Sequence, residues 1–239
     1  MCIRDSSNPT GDIYSDENLA AIMHAGKAYS DEFLFIFDHA YLLHDFLPSA
    51  NQTPTWELAQ SIGADDQAAV FCSFSKVTFG GGGLSFATAG KPLFDLLARQ
   101  RASMIVCPDK VNQMRHLEFL KDKEDVLEHM IKHADIVRPK FEVAFDALDV
   151  LSSEIGNYQK PTGGYFISYD AKRPIAKRVI ELCKDLGVLI TPAGSTYPHF
   201  HDPLDSNIRL APTFLGIEDL KDAMEVFVTA IMIAHQELD

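Results

Sequence analysis

Phe33-Leu34-Phe35-Ile36-Phe37 is a run of five apolar residues that closes on Asp38, and Ala68-Ala69-Val70-Phe71-Cys72 repeats the pattern, closing on Ser73-Phe74-Ser75-Lys76. Short unbroken apolar runs suit strands buried on both faces of a parallel sheet, where neither face calls for polar side chains. Between them Thr55 to Ile62 reads as a short helix, with Gly63 suited to its end. Buried strands joined by helices predict an α/β layered sheet, and open sheets of that kind bind ligands at the carboxyl ends of their strands. Both runs place their polar residues at that edge, which makes Asp38, Ser73, Ser75 and Lys76 the first candidates for a site.

Farther along, Leu127, Met130, Ala134, Val137, Phe141, Phe145 and Leu148 recur every three or four residues, one apolar stripe on a long helix. Pro139 lies inside the stripe and should kink or divide the helix, because proline lacks the amide proton the ladder needs. The texture then changes to α+β. Gly163-Gly164-Tyr165-Phe166-Ile167 and Val188-Leu189-Ile190 read as strands, while Ile175, Val179, Cys183 and Leu186 form a helix face that Gly187 ends. Asn207-Ile208-Arg209-Leu210-Ala211 alternates, turning Ile208 and Leu210 one way and Arg209 the other. Leu220, Ala223, Phe227, Ile231 and Ala234 mark a last amphipathic helix. The expected division is residues 1–115 in part of a sheet domain, 116–150 in a long helical connection, and 151–239 in a smaller α+β domain.

Composition narrows the function classes. The 239 residues carry 21 Lys plus Arg against 34 Asp plus Glu, a formal charge of −13, and 46% are hydrophobic. These are globular proportions and exclude a disordered or collagen-like chain. No apolar run reaches the roughly 18 residues of a membrane span. The acidic balance argues against nucleic acid as a partner, since replacing phosphate counterions takes clustered Lys and Arg. Cys2, Cys72, Cys107 and Cys183 are scattered, with no CxxC pair, and read as reduced thiols of a cytoplasmic protein. Met1 to Ser6 lacks the apolar core of a secretory signal and runs directly into Ser7-Asn8-Pro9-Thr10-Gly11, which reads like the interior of a domain.

Each candidate residue has a chemical and a structural reading. Lys76, near a sheet edge among apolar neighbours and followed by Gly80 to Gly83, could offer a usable amine, and Ser73 and Ser75 with the glycine-rich backbone could hold a phosphate. The alternative is a solvated loop lysine, and the glycines are no P-loop because no GK[ST] follows them. Asp38 could set a carboxylate at the sheet edge with Tyr41 beside it, or could cap a helix beginning near His39. Arg209 could clamp a carboxylate with its planar fork, or could lie in a surface ion pair. His199-x-His201-Asp202 has no third spaced ligand and reads as a solvated loop, so no metal site is expected. His44 and His116 read as structural, and Trp56 as a core residue of its short helix. Lys110 or Arg115 could reach a second substrate carboxylate, without a spacing that assigns either.

Taken in order and spacing, Asn8-Pro9-Thr10-Gly11, Asp38-x-x-Tyr41, Ser73-x-Ser75-Lys76 and Asn207-Ile208-Arg209 resemble the signature of fold-type I pyridoxal-phosphate aminotransferases. Ser75-Lys76-Val77-Thr78-Phe79, Pro108-Asp109-Lys110-Val111-Asn112-Gln113-Met114-Arg115-His116, Gly163-Gly164-Tyr165-Phe166 and Ser206-Asn207-Ile208-Arg209-Leu210-Ala211-Pro212-Thr213 bring the resemblance to one narrow bacterial-type group of aspartate aminotransferases. It runs from Ser7 nearly to the C-terminus. It implies the C-terminal part of a large, mostly parallel-sheet cofactor domain followed by a smaller α+β domain. It implies pyridoxal 5'-phosphate as cofactor, with Lys76 as the Schiff-base and proton-transferring lysine. Asp38 would pair with the pyridine nitrogen, Asn8 and Tyr41 with the phenolic oxygen, and Ser73 with Ser75 would bind the phosphate. Arg209 would clamp the substrate α-carboxylate.

The same resemblance implies a homodimer that exchanges an amino group between an amino acid, aspartate above all, and a 2-oxo acid such as 2-oxoglutarate. Two departures stand out. Leu84 occupies the place where many aminotransferases carry a phosphate-binding arginine. The segment that precedes the Asn-Pro-Thr-Gly motif in the family has no counterpart here. The expectation is therefore a part of a longer enzyme, inactive by itself, with Met1 to Ser6 not native coding sequence. Two other functions fit the same residues: the cofactor-sensing effector domain of a transcriptional regulator, and a lyase or decarboxylase using the same lysine.

Overall fold

A computed structural model describes residues 2–4, 8, 10–11, 13–46 and 53–239, the first three as backbone. Met1, Asp5, Ser6, Ser7 and Pro9, singled out above, lie outside the described residues. The chain divides into two compact units: Ile13–Lys132 with the strand at residues 2–4, and His133–Asp239 with Asn8, Thr10 and Gly11.

The first unit is built on a four-stranded sheet in the order β1-β2-β3-β4. Strands β1 (Cys2–Arg4), β2 (Phe35–His39) and β3 (Ala68–Ser73) run parallel, and β4 (Ser85–Ala89) closes the edge antiparallel to β3. Helix α1 (Asp16–Tyr29) starts where the Ser15 side chain accepts the Asn18 amide at 3.2 Å, and α2 (Thr55–Ser61) ends before Gly63. Leu19 and Met23 of α1 and Ala59 of α2 pack with Phe35, Phe37, Ala68 and Val70 into one core. Trp56 packs half-buried against it.

The mostly parallel α/β sheet is the one expected, but its burial is not two-sided. Phe35 and Phe37 are buried, whereas Leu34 is 43% and Ile36 38% exposed. Among the described residues α1 and α2 cover one face of β2, so the unbroken apolar run carries an alternating pattern of burial. Phe33 and Leu34 precede the strand instead of opening it. Asp38 is a strand residue and caps no helix, because β2 continues through His39 into a turn.

Helices α3 (Lys91–Met104) and α4 (Lys110–Phe119) follow, the latter capped by Asp109 accepting the Asn112 amide at 3.0 Å. Helix α5 (Lys123–Leu148) contains residues of both units and is not divided at Pro139. The cost of one interior proline, about 3 kcal/mol, is offset by the buried stripe on either side of it, Val137, Phe141, Ala144 and Leu148.

The second unit carries an antiparallel sheet of β5 (Gly156–Tyr158), β6 (Ile167–Ala171) and β7 (Asn207–Leu210), with helices α6 (Ala176–Asp185) and α7 (Ile217–Gln236). Ile167, Tyr169, Val179, Cys183, Ile208, Phe227 and Ile231 are buried in it. Three expectations are corrected here. Strand β6 begins at Ile167, where the predicted strand was to end, because Gly164 sits at φ +78° and breaks the extended run before it. Val188-Leu189-Ile190 forms no strand: the Val188 amide donates to Cys183 O at 2.8 Å, closing α6, and Leu189 is exposed. Leu186 lies beyond the helix as its cap and is 61% exposed, so the buried face of α6 consists of Ala176, Val179 and Cys183.

Candidate functional site

In the first unit the expected residues gather at the carboxyl ends of β2 and β3. The two strands pair with His39 opposite Cys72 and Asp38 opposite Phe71, so Asp38 and Ser73 end neighbouring strands at the same edge. After Ser73 the chain makes a tight turn in which the Val77 and Thr78 amides both donate to Phe74 O at 3.0 Å. Ser73 Oγ lies 2.8 Å from Ser75 Oγ and accepts the Ser75 amide at 3.1 Å, and the Ser85 hydroxyl of β4 is 3.4 Å away. Three hydroxyls are thereby grouped at one strand end.

The glycines after the lysine are not interchangeable. A Cβ on Gly83 would collide with the N, Cα and Oγ of Ser75, whereas one on Gly80 would meet nothing. The Phe74 amide donates to Leu84 O at 2.7 Å, which ties the two sides of this loop together. Lys76 reaches back over the Tyr41 ring, its Nζ 4.6 Å from the ring centroid. Tyr41 is buried but Lys76 and Ser75 are exposed, so the lysine is not enclosed by apolar neighbours as the sequence suggested.

In the second unit Arg209 projects from β7, paired with Ser168 of β6 and flanked by buried Ile208 and Leu210. Its Nη1 donates to Asn8 Oδ1 at 2.7 Å and its Nη2 to Thr191 Oγ1 at 3.3 Å, and its guanidinium carbon stands 4.6 Å from the Phe166 ring centroid. None of these partners carries a formal negative charge, and Arg209 Nε is buried without a hydrogen-bond partner among the described residues. A guanidinium held by neutral groups favours an anion, and its fork suits a carboxylate. Among the described residues Arg209 makes no surface ion pair.

Sequence reasoning missed what supports Arg209. Asp202, expected in a solvated loop, is buried and accepts the amides of Leu204, Ser206 and Asn207 at 2.8–2.9 Å. Burial opposes its ionisation, but the amides of Asn207, Ser206, Leu204 and Asp205 outweigh that and hold its carboxyl below the ordinary range. Asn207 in turn donates to Ser168 Oγ and Asp170 Oδ1, both at 2.8 Å, which secures the start of β7. Thr191 gave no signal of its own, and Phe166 entered only as part of the Gly163–Phe166 motif, because both come from loops whose positions depend on the fold.

The family model described as "Aspartate amino-transferase" matches residues 1–238. A Mycolicibacterium smegmatis protein whose name places it among aminotransferases is 36% identical over 239 residues, 99% of this chain and 56% of that one. An aspartate aminotransferase of Corynebacterium glutamicum is 34% identical over 234 residues, 97% of this chain and 54% of that one. The crystal structure of an aspartate transaminase from Corynebacterium glutamicum aligns with a TM-score of 0.92 at 32% identity, over 99% of this chain and 57% of that one. The chain belongs to the aspartate aminotransferase family, and its fold is the C-terminal part of fold type I. It spans little more than half the length of these relatives. No helix among the described residues is long and apolar enough to cross a membrane.

Proposed function

We propose that the protein transfers an amino group from a dicarboxylic amino acid, aspartate first, to a 2-oxo acid such as 2-oxoglutarate, with pyridoxal 5'-phosphate bound at the β2–β3 edge. The observation that carries this reading is the lysine amine laid over a buried tyrosine ring, next to strand ends that present a carboxylate and clustered hydroxyls. That donor set fits the cofactor group by group. The Asp38 carboxylate suits a protonated ring nitrogen, and the Tyr41 hydroxyl suits the phenolic oxygen. The Ser73 and Ser75 hydroxyls suit phosphate oxygens, and the Lys76 amine would be the group that holds the cofactor's aldehyde carbon. When bound, the cofactor supplies an electron-withdrawing ring that stabilises negative charge on the substrate α-carbon.

The chain's own residues do the rest. Arg209 binds the α-carboxylate through its fork and orients the amino acid, while Asn8 and Phe166 hold the guanidinium in place. Lys76 Nζ would take the proton from the substrate α-carbon as a general base. In the whole protein the reading includes a homodimer, checked by light scattering.

Lys76→Ala tests the assignment. Pyridoxal phosphate added to the full-length protein should give a visible absorption band and, after borohydride, a mass increase on the peptide carrying Lys76. The variant should lose both. A band that persists in Lys76→Ala refutes the lysine's role, and release of carbon dioxide or ammonia without amino transfer rejects transamination.

A further inference from the structure

Three imidazoles from three separate elements converge on three consecutive residues, Lys76, Val77 and Thr78. His44, in the turn after β2, places Nε2 3.2 Å from Lys76 O. His129, on α5, places Nε2 2.7 Å from Val77 O. Carbonyl oxygens only accept, so both Nε2 atoms carry the proton and donate. His116, on α4, has Nδ1 2.8 Å from Asn112 O and Nε2 2.8 Å from the Thr78 hydroxyl. Its Nδ1 therefore donates to Asn112 O, and Nε2 meets the Thr78 hydroxyl, which itself donates to Phe74 O at 3.1 Å.

The rings are themselves held. His44 meets Tyr41 edge to face at 5.6 Å, and Tyr41 is the ring beneath the Lys76 amine. His116 packs on Phe79 at 5.4 Å and His129 on Phe119 at 5.2 Å, both edge to face. His44 and His116 are buried and His129 half-buried. Three such bonds on adjacent residues are far more than a turn needs. The turn is already closed by the Val77 and Thr78 amides on Phe74 O.

We propose that His44, His129 and, through Thr78, His116 are positioning residues that fix the backbone on which Lys76 is carried, so that its amine keeps one orientation at the strand edge. This rests on the reading of Lys76 as the reactive amine. The imidazoles touch neither substrate nor cofactor in this proposal. They restrict the turn, and His44 also restricts the ring against which the amine lies.

Hydrogen exchange of the full-length protein without added cofactor tests it, on His44→Leu, His44→Gln, His129→Leu and His129→Gln. A glutamine amide can restore the lost N–H donor, whereas leucine cannot. The leucine variants should exchange the Val77 and Thr78 amides roughly five- to tenfold faster than wild type, the glutamine variants within about twofold of it. The β6 and β7 amides should stay unchanged in all. The leucine variants should also be trapped more slowly on Lys76 by pyridoxal phosphate and borohydride. Unchanged exchange in His129→Leu, or a glutamine variant as fast as its leucine counterpart, overturns the proposal. Half-buried His129 carries the test alone should the His44 variants not fold. An adduct that forms in Lys76→Ala sinks the lysine assignment and leaves the exchange result standing.

Discussion

Arg209 and Tyr169 show how differently a polar group can sit in one small sheet. Arg209 is held by an amide oxygen, a hydroxyl and a ring face, so its positive charge and its fork remain available. Arg209→Lys keeps the charge and loses the fork, and should raise KM for the amino donor roughly tenfold or more while kcat changes less. Steady-state kinetics of the full-length enzyme with varied amino acid checks this, and unchanged KM would remove Arg209 from the substrate site. The Tyr169 hydroxyl is buried with no hydrogen-bond partner among the described residues, and burial pushes its pKa up to about 12. Tyr169→Phe deletes an unsatisfied group and should alter stability at neutral pH by no more than about 1 kcal/mol. A raised folded pKa means the unfolded chain loses its proton first. The contribution of Tyr169 is thus complete below the ordinary phenol value and is lost as pH rises toward 12. Denaturant titrations at pH 7 and above pH 10 should show the phenylalanine variant gaining on wild type only at high pH.

Among the elements, the loop between β3 and β4 decides most. Gly83 lies so close to Ser75 that a methyl group cannot enter without moving the turn that carries Lys76, while Gly80 faces open space. Gly83→Ala should weaken pyridoxal phosphate binding at least tenfold, about 1.4 kcal/mol, with the remaining fold intact. Gly80→Ala should bind normally. Titrating the cofactor against both variants separates a steric requirement from a general preference for flexible glycines. The sequence could mark the four glycines as a group. It could not distinguish them, because the difference is the distance to Ser75. The same limit explains Val188-Leu189-Ile190, which has the composition of a strand but spends its first amide on closing α6. Local propensity proposes an element, and the available hydrogen-bond partner decides it.

For the whole chain, the charge is a property that needs no coordinates. At −13 near neutral pH and with a sequence pI near 5.0, the protein should be least soluble close to pH 5 and should pass a polyanionic column unretained at pH 7. Turbidity against pH and a heparin column check both. The two strands within Phe33–Asp38 and Ala68–Lys76 were also legible, since apolar runs of that length ending in polar residues have few other homes. So was the strand carrying Arg209, from its strict alternation. What no periodicity could reveal is which distant residues meet: Asn8 with Arg209, 201 positions away, His129 with Val77, 52 positions away, and Asp202 turned inward to its neighbours' amides. The order of side chains along the chain determines which faces are apolar and where reactive groups emerge from a strand. Packing and register determine what each group faces once it emerges, because a hydrogen bond across such separations exists only after the sheet and helices have brought its two ends together.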